Sequence, residues 1–169
     1  MPSLQAMSFD HFLRSNHPVQ LCAELPVDRK TEVEELLFFN PQQAAMENEI
    51  LAAIRAFGVP RVVAKGGKLS IEAGNDLVLG TLFAQVASKD GMELAGVLLF
   101  LRKGAGMLCL HLSVNEAYSF WGPRGDLCTP AHLLDGARII GTRIAGVDHL
   151  EVYYKRTGWQ KIPMTVRLV

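Results

Sequence analysis

Three apolar runs separated by two short turns most constrain this chain. Leu79 to Ser88, Met92 to Arg102 and Met107 to Val114 are rich in β-branched, aromatic and leucine residues. Lys89-Asp90-Gly91 and Lys103-Gly104-Ala105-Gly106 between them offer the glycine-containing turns that close hairpins. Three consecutive antiparallel strands follow, and a sheet of this kind must bury at least one face against other elements. Arg61 to Lys65 and Lys68 to Ala73 are two further short strand candidates.

The segments on either side supply helices. Thr31 with Glu34 forms a capping box for a short helix through Phe38, and Asn40-Pro41 restarts a helix, asparagine suiting the cap and proline the first helical position. Ala44, Met46, Ile50, Leu51, Ile54 and Phe57 then fall on one stripe that ends at Gly58. Thr129-Pro130 opens another helix in the same way, with Leu133, Ala137, Ile140 and Ile144 on its apolar side and a stop near Gly146. The first thirty residues read as irregular, with one short turn at Ser8 to Leu13, because Pro18 and Pro26 interrupt anything longer. The expected class is α+β, a central, mostly antiparallel meander flanked by helices. At 169 residues the chain forms one domain, residues 1–169. Its N-terminal helical part is 1–58, the meander 61–114, and a loop, a helix and a C-terminal segment fill 115–169.

Composition narrows the function classes. Seventeen Lys+Arg balance seventeen Asp+Glu, so no excess of positive charge favours nucleic acid. Cys22, Cys109 and Cys128 lie far apart, with no spacing that suits zinc, and read as reduced thiols. No apolar run reaches the ~18 residues needed to cross a bilayer, and no leader-like N-terminus is present, so a cytoplasmic chain that neither spans nor enters a membrane is expected. Asp148, His149 and Glu151 form a solvated acidic run rather than a metal site, and no Gly-x-Ser-x-Gly elbow indicates a hydrolase.

Strict alternation along Met107 to Val114 places Leu108, Leu110, Leu112 and Val114 on one face and Met107, Cys109, His111 and Ser113 on the other. Tyr118 to Cys128 is a loop containing Gly122-Pro123-Arg124-Gly125, and Phe120 and Trp121 beside it read as a plug for the end of the core. Residues 147–154 fit either a short amphipathic helix or a strand. A helix would carry Tyr154 toward the meander, whereas a strand would fix it in the sheet and remove the basis for giving it a catalytic role by analogy.

Near the C-terminus, Tyr153-Tyr154-Lys155-Arg156-Thr157-Gly158-Trp159 resembles the Phe-Tyr-x-Lys-x-Gly-Phe segment of the GCN5-related N-acetyltransferases. The order of elements over residues 61–169 is similar to that superfamily as well. The resemblance implies a GNAT-like fold that moves an acetyl group from acetyl-CoA to an amine of a small molecule or peptide. The pantetheine arm would run along the backbone of Leu112 and Val114, and the pyrophosphate would rest on Gly122, Arg124 and Gly125. His111, with an ordinary pKa near 6.5, would take a proton from the amine, and Tyr154 would protonate the departing thiolate. The acceptor would dock between the N-terminal helices and the sheet. The loop keeps Tyr118 and Gly122 in the family's register but carries Glu116, Ser119 and Arg124 where proline, arginine and glycine are usual. Those departures fit the alternative, a non-catalytic GNAT-fold binding or assembly subunit. So does the run Val97-Leu98-Leu99-Phe100-Leu101, too apolar for an open face, which a partner such as a second copy in a homodimer would cover.

Overall fold

The structure is a computed structural model that describes residues 17–154 and 156–164. The turn expected at Ser8 to Leu13 lies outside these residues, as does Lys155. In chain order the elements are β1 (Val19–Cys22), α1 (Lys30–Phe38), a 3₁₀ turn (Pro41–Met46), α2 (Glu47–Phe57), β2 (Pro60–Lys65), β3 (Lys68–Ala73) and β4 (Leu77–Val78). There follow β5 (Gly80–Ser88), β6 (Gly91–Lys103), β7 (Gly106–Val114), α3 (Thr129–Gly141), β8 (His149–Tyr154) and β9 (Gly158–Pro163).

The class is α+β: a mixed six-stranded sheet in the order β1-β5-β6-β7-β8-β9, a three-stranded sheet β2-β3-β4, and three α-helices. The β5-β6-β7 meander stands where the turn signals place it. Every neighbouring pair in the large sheet is antiparallel except β7 and β8, which run parallel because α3 carries the chain back to the starting edge.

Several expected features differ; α1 starts at Lys30 with Arg29 at its cap and no side-chain cap bond, so Thr31 and Glu34 form no capping box. Residues 19–22 are not irregular, since β1 pairs with Val86 to Phe83 of β5. The partner lies more than sixty residues away, beyond what local signals can report. Asn40 does cap through its side chain, accepting from the Gln42 amide at 3.1 Å, but the turn it starts is 3₁₀ and the α-helix begins only at Glu47.

The large sheet is covered on both faces. Leu133, Ala137 and Ile140 of α3 pack on Leu82, Leu98 and Leu150. On the opposite face, Val33, Leu36 and Leu37 of α1, with Val62 and Ile71 of the small sheet, pack on Phe83, Val97 and Leu99. The apolar run of β6 is therefore satisfied inside the chain, its alternate residues serving two cores, and it gives no reason to invoke a partner subunit there. Gly136 allows α3 its close approach, because a Cβ there would stand 2.6 Å from Leu21 Cδ1.

Candidate functional site

β7 and β8 are neighbours only at their beginnings. Gly106 pairs with His149, Met107 with Leu150 and Leu108 with Glu151, after which the strands part. In a sheet, alternate peptide groups point to opposite edges. Beyond Leu108 the facing edges of β7 and β8 have no strand to bond, among the described residues. A cavity of about 920 Å³ occupies the gap, near the upper end of the size common for small-molecule sites. Leu108 to Ser113 form one wall, Glu151 to Tyr154 another, α2 lies across the opening, and Pro130 and Leu134 of α3 reach in from behind.

A β-bulge sets which side chains enter. Leu99 pairs with His111 and Phe100 with Cys109, so Leu110 has no opposite number on β6. The strict alternation expected along this strand is overturned there. Met107 and Cys109 before the bulge, and Leu112 and Val114 after it, all join the α3-side core. His111 and Ser113 turn toward α1 and α2, where Ser113 Oγ donates to Leu36 O at 2.7 Å and His111 Nε2 meets Gln43 Nε2 at 3.3 Å.

Asn40 ties this corner together. Its amide nitrogen donates to Ser113 Oγ and to Val114 O, each at 2.8 Å, while its oxygen caps the 3₁₀ turn. The Val114 carbonyl, expected to align a pantetheine arm, is thus already engaged. Gln43 Nε2 also donates to the Leu37 carbonyl. Its second hydrogen is then directed at His111 Nε2, which accepts it only as neutral imidazole. Burial pushes the His111 pKa down to about 4, so the titration near neutrality expected of a general base is not what this environment gives.

Residues 149–154 are a strand, which resolves the helix-or-strand alternative and fixes both tyrosines in the sheet. Leu150 and Val152 belong to the α3-side core, so alternation sends Glu151 and Tyr153 to the α2 side and Tyr154 to the α3 side. Tyr153, not Tyr154, therefore shares a face with His111. Glu49 on α2 raises the Tyr153 pKa, and the Tyr153 ring meets Trp159 edge-on at 5.6 Å. Tyr154 stands at the mouth, 41% exposed. Alternation within His149 to Tyr154 was the signal that singles out Tyr153; nothing local marks Glu49 or Gln43, which arrive from α2 and the turn before it.

Helix α2 has no buried residue. Replacing Tyr153 by Phe removes the hydroxyl that interacts with Glu49. Amides of residues 47–57 are expected to exchange with deuterium faster in this variant. Unchanged exchange would mean that this interaction does not restrain the helix.

The loop after β7 is closed on itself. The Gly122 amide donates to Ser119 O, Arg124 to Ala117 O, Gly125 to Gly122 O, Leu127 to Arg124 O and Cys128 to Gly125 O, at 2.8–3.2 Å. A Cβ on Gly122 would lie 2.2 Å from Glu116 O, and one on Gly125 2.4 Å from Phe120 O, so these glycines serve the loop's own packing. No open phosphate cradle is formed by the amides expected to make one. Arg124 lies 5.7 Å from the Tyr118 ring centroid, and Tyr118 donates to Glu93. Phe120 and Trp121 plug nothing; they are 74% and 91% exposed and pack edge to face with each other.

Of the residues singled out from sequence, His111, Leu112 and Tyr154 line one cavity, whereas Val114, Gly122, Arg124 and Gly125 do not. His149 lies between Asp148 at Nδ1 and Glu151 at Nε2, and these two bonds raise its pKa. Among the described residues no group of three or more His, Cys, Asp or Glu side chains is arranged to hold a metal ion, and no helix is long and apolar enough to cross a membrane. No protein-family model, curated protein or solved structure matches the chain.

Proposed function

We propose that the chain is a divergent GNAT-like acyltransferase that holds the thioester arm of acetyl-CoA between β7 and β8 and passes the acyl group to an amine. The separation of these parallel strands after Leu108 carries the proposal. Two unpaired strand edges facing an apolar cavity suit an extended ligand with its own amides, which can bond to backbone as a strand would. The meander and the loop and helix that follow β7 support the same fold-level reading.

In the reaction the amine nitrogen attacks the thioester carbonyl, a C–N bond forms, and the C–S bond breaks with its electron pair leaving on sulfur. Tyr154, at the mouth and carried by a strand rather than a helix, is the proposed proton donor to that thiolate, since its exposed hydroxyl can reach the cavity opening. With its pKa at about 4, His111 does not draw a proton from an ammonium at neutral pH. The amine reacts as its free base and loses its second proton to water after attack. His111 instead supplies a neutral wall to the cleft. The phosphates would rely on side chains rather than on the closed loop's amides.

Acetyl-CoA titration tests the proposal. With Trp121 changed to Phe, Trp159 is the single tryptophan and lines the cavity. Saturable heat in the micromolar range, with a matching change in Trp159 emission, is expected. Absence of heat at millimolar acetyl-CoA overturns the proposal, and heat without an emission change overturns the placement. The closed loop with its exposed Phe120-Trp121 tip favours the second reading, a binding subunit, which the first of those outcomes would support.

A further inference from the structure

Ile50, Ala53 and Phe57 of α2 follow Met46, the last residue of the turn before it, at spacings of four, three and four residues. Such a stripe ordinarily packs on a core. Here each of the four is only half-buried, no residue of the helix is buried, and all four line the cavity. On the strand side the cavity is lined by Leu108, Leu110, Leu112 and Val152, beside the polar His111, Glu151 and Tyr153 that face α2. An acetyl group would leave most of this stripe without a partner. A helix whose apolar side meets only a cavity gains stability when an apolar ligand fills that space.

We infer that the acyl group carried into this cleft is a medium-to-long hydrocarbon chain, lying lengthwise beneath α2, bound as a neutral thioester. This rests on the thioester reading above and extends it to the class of acyl donor. A space bordered by the helical segment from Met46 to Phe57 suits a chain laid lengthwise. Charge decides the form in which the chain enters. The cavity carries Glu49 on α2 and Glu151 on β8, with Lys103 at its exposed rim. A free fatty carboxylate would bring a second negative charge beside these carboxylates and would have to be desolvated. A thioester brings none. Short alanines at 52, 53 and 56 leave the space between helix and strands unfilled, and a larger side chain at Ala53 would occupy the space assigned to the chain.

The test is a comparison of acetyl-CoA, decanoyl-CoA and sodium decanoate by calorimetry on the full chain. Each buried methylene strengthens binding by roughly fourfold, so decanoyl-CoA is expected to bind at least about tenfold tighter than acetyl-CoA even when only part of its chain is covered. Decanoate should bind far more weakly than decanoyl-CoA. In Ala53→Trp, with its helical circular dichroism retained, the preference for decanoyl-CoA should collapse. Equal affinities of the wild type for the two CoA esters overturn the chain assignment while leaving the thioester reading intact. Decanoate binding as tightly as decanoyl-CoA overturns the neutral-thioester form and, if acetyl-CoA gives no heat, the acyltransferase reading with it.

Discussion

Replacing Asn40 by alanine is expected to lower the stability of the fold by roughly 2–4 kcal/mol. Asn40 is 9% exposed and makes three bonds with one side chain. Alanine leaves the Val114 carbonyl without its donor at a buried position, which costs about 1–3 kcal/mol. It also removes the cap of the 3₁₀ turn, worth about 1 kcal/mol. Ser113 loses a donor but keeps its own bond to Leu36 O, so part of the joint survives. Asn40→Asp separates the two contributions, since a carboxylate still accepts from the Gln42 amide but cannot donate to Val114 O and brings a buried negative charge against that oxygen. Urea unfolding should therefore rank wild type above Asn40→Ala, and place Asn40→Asp no higher than Asn40→Ala. A loss under ~1 kcal/mol for Asn40→Ala would show that the corner is held by α1 packing alone. The same substitution should weaken acetyl-CoA binding, because the turn that Asn40 anchors carries Gln43 and leads into α2, two parts of the cavity wall.

How much of this was legible in sequence depends on whether the signal was local. Lys89-Asp90-Gly91 and Gly104 mark turns by their own chemistry, and the meander between them follows. Pro130 does stand in the first turn of α3 and Leu133, Ala137 and Ile140 do face the core, but Thr129 is the first helical residue rather than the cap, and its hydroxyl finds no partner among the described residues. The bulge at Leu110 has no such mark. It arises from the pairing of β6 with β7, and its one-residue change of phase moved Leu112 and Val114 to the α3-side core and His111 toward α2. The closed loop was hidden similarly: Gly122 and Gly125 look the same in sequence whether they admit a phosphate or their own backbone. Pocket residues from α2 were the least visible. Glu49 and Ala53 belong to an ordinary amphipathic helix, and only the parting of β7 from β8 gives that helix a cavity to face.

His111 should make the chain sensitive to acid at a pH where most carboxylates are still ionised. In the folded chain its pKa is lowered to about 4 by burial, against an ordinary value near 6.5. The unfolded chain therefore binds the proton first as the pH falls. Stability from keeping His111 neutral is complete above about pH 6.5 and is lost progressively toward pH 4, amounting to about 3 kcal/mol in all. His149 works in the opposite sense, because its pKa is raised by Asp148 and Glu151. What it adds is present in acid and disappears as the pH rises through its folded value. A His111→Gln variant retains His149 and the carboxylates, so comparison with wild type isolates the buried imidazole. The stability advantage of wild type over His111→Gln is expected to shrink by about 3 kcal/mol between pH 7 and pH 4, measured by urea unfolding at each pH. A constant difference would mean that the imidazole reaches solvent in the folded state. Because α2 covers this side of the cleft, protonation would place a charge where the proposed acyl chain lies. Ligand affinity should fall in wild type over the same interval, and stay level in His111→Gln.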